Sequence, residues 1–195
     1  MNNKDCRIYL DLEYVYPEMT KEYGRPTDKN LRQVIQIAAI KVDVKTNKEL
    51  ETFNILCKPK YTKILPPFFT ELTHITQEEV DNKGLDFLEA LDMLCKFCAD
   101  IQVYTMDADY SVLSQNCSYY GVKNPLKEFI RVKPMLVSWG LDATKYTSGT
   151  LYKATGISIK KLSSGHVHNA LHDVRSMSYA THYFTNKMTN KNLKE

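Results

Sequence analysis

Apolar and polar residues alternate near the start of the chain, and this pattern brings two acidic side chains together. Within residues 7–13 the apolar members of the alternation are Ile8, Leu10 and Leu12. A period of two over this length predicts a β-strand. Because successive side chains of a strand point to opposite faces, we expect Asp11 and Glu13 on the same face, together with Tyr9.

The rest of the hydrophobic pattern predicts two more strands and then a series of helices. The strands are expected at 34–42 and 51–57, with a turn at 45–48, which gives an antiparallel meander. A polar stretch at 14–30 is expected to be a loop near the acidic pair. After Pro66 and Pro67 the pattern predicts two short helical pieces, a short strand at 102–105 and helices at 87–101, 110–120, 148–154 and 170–184.

This order of elements favours a single α/β domain over residues 1–195, with a core at about 7–184 and a frayed polar tail at 187–195. Of the 195 residues 43% are hydrophobic and 25% are charged, as in soluble globular proteins, and the net charge is +3. So small a charge is compatible with a polyanionic partner but does not argue for one. No apolar run approaches the roughly 18 residues of a membrane span, and the N-terminus has no secretory signal, so no membrane partner is expected.

The five cysteines are expected to be reduced thiols of a cytoplasmic protein. Cys95 and Cys98 have the spacing of a zinc or redox pair, but they lack a second pair at zinc-ligand spacing. They also fall within the predicted helix 87–101, where a buried thiol behaves as a small apolar residue. Core packing is therefore the favoured role of this pair.

Further acidic residues occur after a strand and inside the last helix. Asp109 follows the strand 102–105 at the start of a helix, where an acid is also an ordinary N-cap, and Asp107 competes for the same role. Asp173 lies about one turn inside the last helix, with His168 at the mouth of that helix. Carboxylates about 4 Å apart repel one another by roughly 4 kcal/mol at an effective dielectric near 20, so a fold that gathers them implies a cation between them.

Each fragment has a simpler interpretation when it is taken alone. The first acidic pair would be solvated on an exposed edge strand. His168 and His172 have the i,i+4 spacing of a zinc pair, although zinc would need another close ligand and a different role for Asp173. His166 and His172 are most simply polar residues of a loop and of a helix surface.

Together and in this order, the fragments resemble the motifs of the DEDDh 3′→5′ exonucleases of the DnaQ-like superfamily. Asp11-Leu-Glu13 is similar to the first motif (Asp-x-Glu), Asp109-Tyr-Ser-Val-Leu113 to the second, and His168-Asn-Ala-Leu-His-Asp173 to the third (His-x4-Asp). Residues 69–75 resemble the Phe-x2-Leu-Thr-x-Ile stretch of the family, and 13–18 and 113–117 resemble its KapD-like and Eri-type branch. The chain departs from the family in having Tyr14 after the first motif and no aromatic-glycine pair before the second. The second departure leaves the choice between Asp107 and Asp109 open.

The resemblance implies a ribonuclease H-like fold, with a central mixed sheet of about five strands flanked by helices, and hydrolysis of nucleic acid from its 3′ end to nucleoside 5′-monophosphates. It also implies two divalent ions, Mg²⁺ or Mn²⁺, about 3.5–4 Å apart, which would clamp the attacking and leaving oxygens. By the same resemblance, one ion takes Asp11, Glu13 and Asp173, and the other takes Asp11, Asp109 and water. His168 is then the general base.

Family members use residues in comparable places to stack on or wedge the terminal bases, which makes substrate-binding candidates of Tyr14, Phe69, Leu72 and His74. Plain core packing is the alternative for Phe69 and Leu72. The branch resemblance favours a single-stranded RNA 3′ end as the substrate. A DNA-directed trimming or proofreading exonuclease is one alternative, and a catalytically inactive binding or regulatory module is another. An intact set of mutually costly acidic groups argues against the inactive module, and the oligomeric state is left open.

Overall fold

Five strands form one mixed sheet in the residues described by a computed structural model, which are 5–16, 32–158 and 165–192. The strands are β1 (Cys6–Val15), β2 (Gln33–Asp43), β3 (Glu49–Leu56), β4 (Val103–Thr105) and β5 (Ile130–Arg131). Their order across the sheet is β3-β2-β1-β4-β5; β1 to β3 pair antiparallel, and β4 runs parallel to β1 and to β5. The predicted mixed sheet with an initial meander is confirmed.

Helices occupy most of the remaining described chain. The α-helices are α1 (Pro67–Thr73), α2 (Gln77–Lys83), α3 (Phe87–Cys98), α4 (Asp109–Tyr119), α5 (Val132–Ser138) and α6 (Ala170–Asn192), and two 3-10 helices cover Ala143–Lys145 and Ser148–Thr155. Local sequence fixes several of their ends. The capping box of Thr76 and Glu79 begins α2, and the side chain of Asp86 caps α3 by accepting the N–H of Leu88. None of the described helices is both long and apolar enough to cross a bilayer.

The sheet is covered on both faces, so β1 is buried from both sides. Ile8, Leu10 and Leu12 pack in one core cluster with α3 and α4. Tyr9, on the opposite face, packs in a second cluster with α5 and α6. Because β1 is the middle strand of the sheet, the interpretation of residues 7–13 as an exposed edge strand is wrong.

Several boundaries differ from those predicted. α6 extends beyond the predicted end at residue 184 to Asn192. Within its last turns Thr185 and Thr189 each donate a side-chain hydrogen bond to the carbonyl four residues earlier. The helix predicted at 148–154 is a 3-10 helix, Ser148–Thr155. The two-residue strand β5 and the short helix α5 were not predicted, because neither is long enough to show a period. Of the predicted loop 14–30, residues 14 and 15 belong to β1, and 17–31 lie outside the described residues.

The cysteines behave as packing residues. All five are free, and four of them are buried. Burial raises the pKa of the Cys98 thiol to about 12, which holds it protonated, whereas a metal ligand must be a thiolate. The structure therefore supports core packing for Cys98 and its neighbour Cys95.

Candidate functional site

A cavity of about 270 Å³ opens where the end of β1 meets the start of α4 and the start of α6. All five residues predicted to carry chemistry line it, although they are drawn from three distant parts of the chain: Asp11, Glu13, Asp109, His168 and Asp173. The fold thus brings together the motifs that the sequence keeps apart.

Asp11 and Glu13 project from the same face of β1, as the alternation predicts. Both are buried, at 6% and 9% exposure. Together with Asp173 they offer carboxylate oxygens that all lie within 4.8 Å of one another. Three acids this close and this buried form a ready set of ligands for a hard cation.

Asp109 and Asp107 are clearly distinguished by their surroundings. Asp109 is buried at the first position of α4, and its carboxylate accepts a hydrogen bond from the hydroxyl of Thr105. Asp107 is exposed, and it lies 3.6 Å from the guanidinium of Arg131. Both line the cavity, and the negative charge of Asp109 is among the causes that raise the pKa of Asp11. The geometry favours Asp109 as the acid of the second motif.

Asp173 is held by a segment that carries none of the motifs found in the sequence. The hydroxyl of Ser148 donates to Asp173 Oδ2 over 3.0 Å. Gly149 packs so closely on the same carboxylate that a Cβ atom there would stand 2.3 Å from Oδ1. Tyr146 and Thr147 line the cavity beside them. The start of the 3-10 helix 148–155 therefore orients the last acid of the cluster.

The electrostatics of the cluster are those of buried acids crowded together. Burial, followed by the negative charges of Asp109, Asp173 and Glu13, raises the pKa of Asp11 well above its ordinary value. Burial raises the pKa of Asp173 to about 7, against the opposing hydrogen bond from Ser148. Burial also raises the pKa of Asp109. Each of these shifts disfavours the ionised form, so a cation bound among the acids would reverse them.

His168 stands at the entrance to α6, where it was expected. Its backbone is in the left-handed region, with φ of 67°, which is uncommon outside glycine and turns the chain sharply into the helix. The half-buried side chain lines the cavity that contains the four carboxylates. An imidazole in this place can exchange a proton with a group bound beside the acids.

His172, in contrast, was wrongly predicted to lie on a helix surface. It is 1% exposed, and its Nε2 lies 3.1 Å from the carbonyl oxygen of Gly149. The helix face that carries it packs against the 3-10 helix 148–155, so position alone did not reveal its burial. The metal-ligand group that the described residues form consists of Asp11, Glu13 and Asp173 and contains neither histidine. The zinc-pair interpretation is therefore not supported.

Three of the four candidate substrate residues line the cavity, namely Tyr14, Phe69 and Leu72. Phe69 is also only 1% exposed and belongs to a core cluster, so it both packs in the core and lines the cavity. His74 does not line this cavity. It ends α1 in the left-handed conformation, which turns its side chain into a neighbouring cavity of about 430 Å³, where its ring lies 3.8 Å from that of His166.

Lys133 is a further lining residue that the sequence did not reveal. It lies in the first turn of α5, directly after the two-residue strand β5, in a region without a recognisable motif. Its side chain adds a positive charge to a cavity lined by acids.

Comparison with known proteins places this geometry in a family. The model of the RNase T family, described as exonuclease, matches residues 8–181. The chain belongs to this exonuclease family. The resemblance to the DEDDh exonucleases drawn from the motifs is thereby confirmed.

Several solved nucleases share the fold of this exonuclease-family chain at low sequence identity. The nuclease domain of 3′hExo, a DEDDh family member bound to rAMP, superposes with a TM-score of 0.78 at 18% identity, covering 94% of this chain and 92% of that one. Cell-death related nuclease 4 (CRN-4) superposes with a TM-score of 0.74 at 16% identity, covering 94% of this chain and 64% of that one. E. coli exonuclease I in complex with a dT13 oligonucleotide superposes with a TM-score of 0.66 at 16% identity, covering 97% of this chain and 43% of that one. No sequence among the curated proteins matches the chain.

Proposed function

We propose that the chain is a metal-dependent 3′→5′ exonuclease that shortens single-stranded nucleic acid, with RNA favoured, and releases nucleoside 5′-monophosphates. The observation that carries this proposal is the convergence of three buried carboxylates within 4.8 Å of one another, in a cavity that Asp109 and His168 also line. Family membership supports the reaction class, and the cavity supplies the groups that phosphodiester hydrolysis requires.

The donor set fits divalent magnesium or manganese. Carboxylate oxygens are the ligands that these hard ions prefer. Asp173 Oδ1 is buried, and within the described part of the chain it accepts no hydrogen bond, so the cluster has an oxygen that a cation would satisfy. We assign one ion to Asp11, Glu13 and Asp173 and a second to Asp11 and Asp109. Bound there, the ions would supply positive charge to the phosphate as negative charge develops on it.

The remaining lining groups have roles that follow from their chemistry. His168 would accept the proton of the attacking water, because imidazole gains and loses a proton near neutral pH. Lys133 would donate to a phosphate oxygen of the bound strand, a charge-assisted hydrogen bond. Tyr14, Phe69 and Leu72 would contact the terminal base, whereas His74 faces the neighbouring cavity and is less suited to that role.

The preference for RNA rests on the resemblance to the Eri-type branch and on two neighbours of known structure. One is 3′hExo, which was solved with bound rAMP, and the other is a 3′-exonuclease described in the 3′-end specific recognition of a histone mRNA stem-loop. The DNA alternative is favoured by E. coli exonuclease I, solved with dT13. The chain's free cysteines fit the reducing cytoplasm that we propose as its location.

A single assay tests the proposal. RNA and DNA strands of matched sequence, labelled at the 5′ end and supplied both single- and double-stranded, are incubated with the protein and Mg²⁺ or Mn²⁺. We expect a progressive ladder of shortened products that requires the ion and is strongest on single-stranded RNA. Asp11→Asn, which keeps the size of the side chain but removes its charge, should give no ladder. Binding of the strands without any ladder under either ion would favour the inactive module and refute the enzyme.

A further inference from the structure

A surface of aromatic and basic side chains lies outside the carboxylate cavity. We call it the tyrosine–lysine surface, and its members are Lys60, Tyr61, Lys63, Ile64, Tyr119 and Tyr120. Tyr61 is 52% exposed, and Ile64 is 80% exposed. Both side chains are therefore open to contact with a partner.

The rings and the cation of this surface are organised by one another. The rings of Tyr61 and Tyr119 meet edge to face with their centres 5.4 Å apart. Lys60 Nζ lies 5.4 Å from the ring centre of Tyr61 and 4.6 Å from that of Tyr120, and it donates a hydrogen bond to the carbonyl of Tyr119. These contacts fix the positions of the rings and still leave half of Tyr61 open to solvent.

The loop that carries Tyr61 is also supported from below. Gln33, at the start of β2, is 1% exposed. Its Oε1 accepts the backbone N–H groups of Tyr61 and Thr62 at 2.6 and 3.2 Å, and its Nε2 donates to the Thr62 hydroxyl over 2.5 Å. A loop held in this way presents its side chains without first having to be ordered, which lowers the entropic cost of binding.

Two elements connect this surface with the carboxylate cavity. Gln33 pairs with Val15 of β1, next to Tyr16, which lines the cavity. Helix α4 begins at Asp109 in the cavity and ends at Tyr119 in the tyrosine–lysine surface. Ten residue steps along a helix span roughly 15 Å. At roughly 3.4 Å per nucleotide of a stacked strand, that distance corresponds to about four to five nucleotides.

We propose that the tyrosine–lysine surface binds the single-stranded part of the substrate upstream of the 3′ end held at the carboxylates. Bases would stack on the rings of Tyr61 and Tyr119, and Lys60 and Lys63 would neutralise phosphates, a combination that suits single-stranded nucleic acid of any sequence. Positive charge and aromatic rings complement a polyanion with exposed bases, and helix α4 extends from the cavity to this surface. The inference rests on the proposed exonuclease function, because it requires a 3′ end in the cavity.

The test is the dependence of binding on strand length. Fluorescence anisotropy measures the affinity of the full chain for 5′-labelled strands of 3, 6 and 12 nucleotides, in EDTA so that the strands are not hydrolysed. Tyr61→Ser should weaken binding of the 12-mer by roughly 5- to 30-fold, at the lower end of base-stacking values, and weaken the 3-mer much less. Lys63→Glu, an exposed change that leaves the ring contacts in place, should reduce the slope of log affinity against log salt by about 0.7 for each phosphate that the variant no longer neutralises.

Matched control variants on α6 separate this effect from a general decrease in charge or aromatic area. Tyr183→Ser removes a tyrosine that is 40% exposed, and Lys187→Glu reverses an exposed lysine. Both should bind every strand as the wild type does. The inference is overturned if Tyr61→Ser and Lys63→Glu match these controls on the 12-mer. If the wild type shortens strands but these variants match the controls, this inference alone is refuted. If the wild type neither binds nor shortens any strand, the proposed function is refuted as well.

Discussion

Gly149→Ala tests how the carboxylate of Asp173 is held in the cluster. An added Cβ would stand 2.3 Å from Oδ1 and 2.8 Å from Cγ of Asp173, well inside any ordinary contact. The glycine itself is buried, and its carbonyl oxygen lies 3.1 Å from His172 Nε2. The 3-10 helix 148–155 and α6 are thus tied together beside the new methyl group, so the carboxylate is the part that must move.

The size of the effect follows from the distance that must be recovered. A carbon and an oxygen in ordinary contact lie near 3.5 Å, so Oδ1 must withdraw by about 1 Å. A misplacement of about 1 Å in a catalytic site can cost roughly 100-fold in rate, equivalent to about 2.7 kcal/mol of barrier. Because the same oxygen belongs to one of three converging ligands, we expect the affinity for Mn²⁺ to fall together with kcat/KM.

The assay needs a control that is overpacked elsewhere. Gly84→Ala provides it, since its Cβ would meet the backbone oxygen of Val80 at 2.4 Å, outside the carboxylate cavity. Each variant is expected to be destabilised by about 1–3 kcal/mol through overpacking. Only Gly149→Ala should weaken Mn²⁺ binding in calorimetry and lower kcat/KM on a labelled strand. Wild-type values of both quantities for Gly149→Ala would refute the idea that this close approach positions Asp173.

Four further predictions concern the residues that line the cavity and the stability of the carboxylate cluster. Asp109→Ala should reduce turnover far more than Asp107→Ala, because only Asp109 is buried beside Asp11, and equal reductions in a ladder assay would show that the assignment is wrong. Lys133→Met should raise KM about tenfold or more, because it removes a charge-assisted hydrogen bond to phosphate, with an unchanged melting temperature, and a wild-type KM would contradict that role. Without metal, the free energy of unfolding should fall as pH rises from about 4 to 7, because the folded Asp173, with a pKa of about 7, keeps a proton that the unfolded chain releases. Metal at about 100 times its Kd should add about 2.7 kcal/mol to the free energy of unfolding and raise the melting temperature by roughly 5–11 °C. A melting temperature at pH 8 that does not change when metal is added would contradict the proposed metal site.

The local pattern predicts the parts of the fold that are periodic. The alternation around Ile8 and Leu10 gave the direction of Asp11 correctly, because the pleat of a strand leaves no choice once one face is apolar. The two-residue strand β5 was not predicted because so short a strand forms only by pairing with a neighbour that is already in the sheet. Here Ile130 of β5 pairs with Tyr104 of β4.

The residues of the site likewise fall into those that the sequence reveals and those that it does not. The carboxylates and His168 could be found because their residue types and order carry the chemistry. Ser148, Gly149 and Lys133 could not, because each acts only through a contact made by folding; Ser148, for example, meets Asp173 across 25 residues of chain. A serine before a glycine in a polar segment has no distinguishing feature until its partner is known. His74 shows the converse error, since its place within the family-like stretch 69–75 was not enough to determine which cavity its side chain faces.

The division of β1 between its two faces explains how the fold tolerates four buried acids. Ile8, Leu10 and Leu12 are each at most 4% exposed, and burying each such side chain stabilises the fold by about 1.5–3 kcal/mol. The strand is therefore held in place by the face opposite the acids and by Tyr9, which packs in the second core cluster on the acids' own face. Burial of the acids and the repulsion among them, which together raise the pKa of Asp11, then oppose folding only at the end of the sheet, where the cavity opens. A cation can relieve that repulsion without moving the strand, so the site can be strained when it is empty and still be preformed for its ions.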